Sequence, residues 1–155
     1  MATLPQLRLH LGRLAATLWN FGADFPVPTL DAYDSGEVGF SFTARMPGTD
    51  VPSAGIIKIV EIWSPSPRGF ALVEYDYDFI EPPLNRRRAF HRHSEDAFLR
   101  AFGVTVHEHC EESLGGPACD HYYGFPVDAD EAIRRFTIIW GQPGPLGCNQ
   151  LRCIR

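Results

Sequence analysis

Four of the six histidines fall in one stretch, FHRHSEDAFLRAFGVTVHEHCEE (90–112), as two His-x-His pairs, His91/His93 and His107/His109. On an extended strand alternate side chains share a face, so each pair presents both rings on one side. Phe90, Arg92 and Glu108 then point to the other. If the two segments are neighbours in a sheet, four imidazoles share one surface. Imidazole changes charge near neutral pH, so a pair can act as general base and general acid. It is also a ligand of zinc, which takes four nitrogen or sulfur donors and keeps one position open in catalytic sites.

Two chemistries follow. Without a metal, cleavage of RNA at a 2′-hydroxyl needs a base, an acid for the leaving oxygen and a cation for the phosphorane charge. His91, His93, His107 and His109 supply the first two. The run Arg86-Arg87-Arg88 supplies the third, because guanidinium forks onto two phosphate oxygens. Tyr75 and Tyr77, with Tyr122 and Tyr123, offer rings for base stacking. With a metal, the ligands are His107, His109, Cys110, Cys119 and His121, and the cofactor is Zn2+. The chain has no Cys-x-x-Cys, and Cys119-x-His121 is not a standard knuckle. A third reading has no chemistry: wet strand edges carry His-x-His pairs, and the protein is an interaction module. Asp76 and Asp78 alternate with tyrosines and share a face, either as solvated groups or as a cation site.

The whole chain bounds these readings. Its 155 residues fit one domain with a full core, and 45% are apolar. Net charge is −5, but all the excess lies before residue 82, where five basic side chains meet ten acidic ones. The rest carries nine of each. The overall field does not favour a polyanion, yet the arginine run can hold a phosphate or a short strand. No apolar run is long enough for a membrane span. His10, Gly12 and Arg13 interrupt any leader-like apolar stretch, which predicts a cytoplasmic protein. The four cysteines, Cys110, Cys119, Cys148 and Cys153, are therefore expected as free thiols or metal ligands rather than disulfides.

The elements that must position the histidines follow from patterning. Leu4, Leu7, Leu11, Leu14, Leu18 and Phe21 recur every three or four residues and predict a helix over 5–20, with Pro5 in its first turn. A loop covers 23–35. Strands are expected over 37–45, 56–63, 70–80 and 86–93, with Pro47-Gly48 as a turn, a loop at Pro65/Pro67 and a connection at 82–85. A short helix over 94–103, capped by Ser94 and stopped by Gly103, precedes a fifth extended segment over 104–111. Asp128 or Asp130 caps a last helix with Ala129, Ala132, Ile133, Phe136, Ile139 and Trp140 on its apolar face. Residues 141–155 read as an irregular tail. The fold class is α+β: a four- to five-stranded antiparallel sheet packed against an N-terminal and a C-terminal helix on one face, in a single domain.

The order of parts resembles the TumE-like toxin family of bacterial toxin–antitoxin modules. The parts are EYDYDF (74–79), RRRAFHRH (86–93), VHEHCEE (106–112) and VDADEAIRRFTIIW (127–140), so the likeness spans about residues 70–140. It implies an RNA-directed toxin, a ribonuclease neutralised by a cognate antitoxin protein; the residues themselves add the expectation of no cofactor and no membrane partner. His91, His93, His107 and His109 are the positions it carries over.

Overall fold

The computed structural model describes residues 1–48, 54–93, 99–101, 103–116, 120–147 and 153–154. Helix α1 (Leu4–Asn20) begins where the Thr3 amide donates to Gln6 Oε1 at 2.7 Å, with Pro5 in the first turn. Seven strands follow: β1 (Asp31–Ala32), β2 (Val38–Arg45), β3 (Ile56–Ser66), β4 (Gly69–Glu81), β5 (Arg86–Arg92), β6 (Val106–Glu111) and β7 (His121–Tyr123). They form one sheet in chain order, every pairing antiparallel. Helix α2 (Ala129–Ile139) closes the described secondary structure, and its cap is Asp128, which accepts from the Glu131 amide at 2.8 Å.

The α+β class and the meander agree with expectation, but the sheet is larger than four or five strands. The extra strands are β1 and β7. Both are too short for an alternating pattern to announce them, and both lie in segments whose Pro or Gly content reads as loop. Strand β3 also runs through Pro65, and the turn falls at Pro67-Arg68. Gly69 follows at φ 126°, where a Cβ would sit 2.5 Å from the Ala2 carbonyl oxygen. That close approach lets Ala2 bridge Phe70 and ties the N-terminus to the hairpin. Residues 99–101 are helical and the Gly103 amide donates to the Leu99 carbonyl, while the expected cap at Ser94 lies outside the described residues. So does the chain immediately after the Pro47-Gly48 connection.

Strand alternation splits the sheet into two different faces. One carries Phe40, Phe42, Ile57, Ile59, Tyr75, Tyr77, Phe79 and Phe90, and lies under Leu11, Leu14 and Leu18 of α1 and Ile133 and Phe136 of α2. Phe136 stacks on both Phe79 and Phe90, at 5.2 and 5.7 Å between ring centres. Each fully buried large apolar side chain stabilises the fold by roughly 1.5–3 kcal/mol. A smaller cluster of Cys110, Tyr122 and Leu146 extends this core towards β7. Beyond α2 the described residues up to Gly147 are irregular; Cys153 bridges Tyr122 and the Ile154 amide donates to the His121 carbonyl at 2.9 Å.

The cysteines overturn an expectation. Cys110 and Cys153 are both disulfide-bonded, and no cysteine among the described residues is a free thiol. Cys119 and Cys148 lie outside the described residues. The expectation rested on compartment alone, and spacing along the chain carries no information about which sulfurs the fold brings together. Among the described residues no helix is long and apolar enough to cross a membrane.

Candidate metal centre

The second face of the sheet holds the histidines. Strand register sets His91 opposite His107, Ala89 opposite His109, and His109 opposite His121. His93 lies two residues past His91, just beyond the end of β5, where its amide donates to the Thr105 carbonyl at 3.0 Å. Five of the six histidines therefore form a diagonal across β5, β6 and β7, with His107 at its centre. Ring centres lie 5.0 Å apart for His91–His107, 5.3 Å for His93–His107, 5.0 Å for His107–His109 and 5.5 Å for His107–His121. Ala89, fully buried, leaves space beside β6, and His109 leans across to within 4.7 Å of His91. Gly124 adds to the packing: a Cβ there would lie 3.0 Å from the His107 carbonyl carbon, so a larger residue would push the chain after β7 off β6 by a few tenths of an ångström.

Two triads bring one ring nitrogen from each member within 4.8 Å of one another: His91/His93/His107 and His107/His109/His121. Zinc–nitrogen bonds of about 2.0–2.1 Å place tetrahedral donors roughly 3.4 Å apart, so small side-chain rotations close either set around an ion. Two of the rings, His107 and His109, are in the ligand form. Burial and the neighbouring imidazoles His91, His93 and His121 push His107 down to about 3. Burial, His91, His121 and Arg87 push His109 down to about 2. Both stay neutral at pH 7, as a metal requires. His109 Nδ1 is buried with no hydrogen-bond partner among the described residues, a costly state for a polar atom that has no ligand to meet.

Two further groups flank the imidazoles, Asp76/Asp78/His91 and His109/Glu111/Asp120. Their oxygens are already engaged. Asp78 takes a bidentate pair from Arg87, whose third donor reaches Glu111 at 2.9 Å. Asp120 contacts His121 Nδ1. Asp76 binds Lys58 at 2.7 Å and His91 Nε2 at 2.7 Å. Burial opposes ionisation of Asp76, but the bonds from His91 and Lys58 outweigh it and hold its carboxyl well below the usual range. A carboxylate on one imidazole nitrogen orients the other for a metal, the usual support of a histidine ligand.

The remaining sequence candidates separate. Arg86 and Arg88 alternate onto the helix-covered face. Arg86 pairs with Glu81 and donates to the Ile139 and Gly144 carbonyls, while Arg88 pairs with Glu108 at 2.7 Å. Only Arg87 of the three shares the imidazole face, and it is saturated by Asp78 and Glu111. Tyr75 and Tyr77 are 3% and 0% exposed and stack on each other in the core, so no base reaches them. Tyr122 is buried too, and Tyr123, 47% exposed, stands on the imidazole face in register with His107. Cys110 sits on the opposite face from His109 and is held in a disulfide, which removes it from the zinc set. Cys119 lies outside the described residues. His121 does join, through the unexpected β7. The sixth histidine, His10, is on α1 and bonds buried Glu61 at 3.0 Å.

The chain matches no family model, no curated protein and no solved structure.

Proposed function

We propose that the protein is a transition-metal-binding domain that holds a zinc-class ion on its imidazole face and uses it for hydrolysis. One observation carries the reading: the convergence of imidazoles from β5, β6 and β7, with His107 and His109 held neutral by burial and His91 supported from behind by Asp76. Three imidazoles leave a fourth position for water. An ion there would polarise a substrate oxygen and supply hydroxide near neutral pH. The protein's own part is to fix ring orientation through Asp76 and to keep His107 and His109 neutral by burial. RNA is the substrate that the toxin resemblance suggests, with an antitoxin as partner.

The test is metal content of untagged protein after exhaustive dialysis, with a zinc-induced rise in melting temperature. Retained zinc and a rise that chelator reverses support the reading. Absence of both sinks it.

A second reading keeps RNA cleavage without a metal. The Asp76–His91 contact favours it, because a carboxylate-supported imidazole is the arrangement of a general base; His109, 4.7 Å away between ring centres and pushed down to about 2, is a weak base at pH 7. Its weak point is the phosphorane, since Arg86 and Arg88 face the core and Arg87 is committed. RNA cleavage that persists in chelator and falls with His91→Ala selects this reading over the first. The disulfide-bonded Cys110 and Cys153 weigh towards an oxidising compartment rather than the cytoplasm, where thiols stay reduced.

A further inference from the structure

The two imidazole triads are not alternatives for one ion. We infer that the face holds two ions bridged by His107, a deepening that rests on the metal-binding reading above. His107 belongs to both triads. Its other partners come from different strands: His91 on β5 with His93 just past its end, and His109 on β6 with His121 across on β7, while His91 and His109 themselves stand 4.7 Å apart between ring centres. The rings of His93 and His121 each stand nearly parallel to that of His107, at 30° and 28°. An imidazole carries two nitrogens pointing in diverging directions. One nitrogen of His107 serves the His91/His93 ion and the other the His109/His121 ion. Each ion then has three imidazole donors and an open position, the ligand count of a catalytic zinc.

The proton balance is simple. Neutral His107 holds one ring N–H, and binding of the second ion releases that proton to solvent, leaving an imidazolate bridge. Two metal–nitrogen bonds of ~2.0 Å on either side of the ring place the ions about 6 Å apart. That is wider than the ~3.5–4 Å of carboxylate- or hydroxide-bridged pairs. Asp76 braces the first ion's His91, and Asp120 contacts the second ion's His121. Each half of the site therefore has its own carboxylate support.

The experiment uses the untagged full chain, stripped with chelator and titrated with zinc sulfate, then with Cu(II). Wild type is expected to saturate at two zinc ions per chain. His93→Ala and His121→Ala, both at partly exposed positions, are each expected to fall to one. In wild type loaded with two Cu(II), coupling through the bridge suppresses the ordinary Cu(II) resonance, and His121→Ala restores that of an isolated ion. Saturation of wild type at one ion, loss of all binding in either variant, or two uncoupled Cu(II) signals each overturn the bridge. One ion per chain leaves the metal-binding reading standing, whereas no ion at all removes both. Circular dichroism checks each variant. Should one fail to fold, wild-type stoichiometry and resonance decide alone.

Discussion

The two faces of strands β4 to β6 handle polar groups in opposite ways. Under the helices, unlike meets like-sized unlike: Arg86 with Glu81, Arg88 with Glu108, and Glu61 with donors from His10, Trp63 and Tyr77. Each buried charge there has its complement within hydrogen-bond distance, and the bonds bolt the chain after α2 onto the sheet. On the other face, groups of one kind converge. Five imidazoles gather; burial keeps His107 and His109 neutral, and Asp76 and Asp120 contact His91 and His121. Complementary burial is the signature of architecture. Convergent burial of identical groups lowers stability, and perturbed clusters of this kind mark candidate functional sites.

Breaking the complementary face produces the largest effect. Arg86→Ala removes the guanidinium that pairs the charge of fully buried Glu81, leaving it the neutral Gly141 amide as a donor, and frees two carbonyls of the chain after α2. The expected loss is about 3–5 kcal/mol, read by urea denaturation. A loss below about 1 kcal/mol would show that the pair is not the clamp it resembles here.

The convergent face is expected to respond to ligand instead. Zinc at about 100 times its dissociation constant stabilises the protein by about 2.7 kcal/mol, measured as a melting-temperature rise over the chelator-treated sample. His93→Ala and His121→Ala are expected to shift the metal-free midpoint by no more than about 0.5 kcal/mol, as partly exposed positions do. Zinc-dependent stabilisation falls in both. If these variants destabilise the metal-free protein as much as Arg86→Ala does, the two faces are not different in kind.

Asp76→Asn sharpens the contrast further. It keeps size and one acceptor but removes the charge behind His91, and is expected to weaken zinc binding about 10- to 100-fold, measured by competition with a chromophoric chelator. Unchanged affinity would assign Asp76 to Lys58 alone.

The smallest effect is a pH dependence on the helix-covered face. Burial alone would lower the pKa of His10, but its hydrogen bond and charge interaction with Glu61, aided by Asp130 and against Arg13, raise it above 6.5. A raised folded-state pKa contributes stability that is fully present below 6.5 and is lost as pH rises through the folded value. Wild type is therefore expected to lose this increment across that window. His10→Gln, which keeps a donor but does not titrate, flattens the slope. An identical slope in both proteins places the titration elsewhere.

Much of the fold was legible in the chain because its signals are local. The leucine repeat of α1 becomes a buried stripe at Leu7, Leu11, Leu14 and Leu18, and Asp128 caps α2 through its own side chain. Alternation correctly separated His91, His93, His107 and His109 from Phe90 and Glu108, since strand period is a property of the backbone. β1 and β7 escaped because two or three residues carry no period, and their pairing depends on neighbours already in place.

The sequence by itself determined which side chains share a strand face and that imidazoles are concentrated on β5 and β6. Only the tertiary structure decided what each face meets. Register brought His121 beside His109, turned Arg86, Arg88, Tyr75 and Tyr77 under the helices, gave Arg87 to Asp78 and Glu111, and closed Cys110 in a disulfide. Those outcomes depend on contacts between residues far apart in the chain, where distance is set by packing of the whole sheet and not by spacing along it.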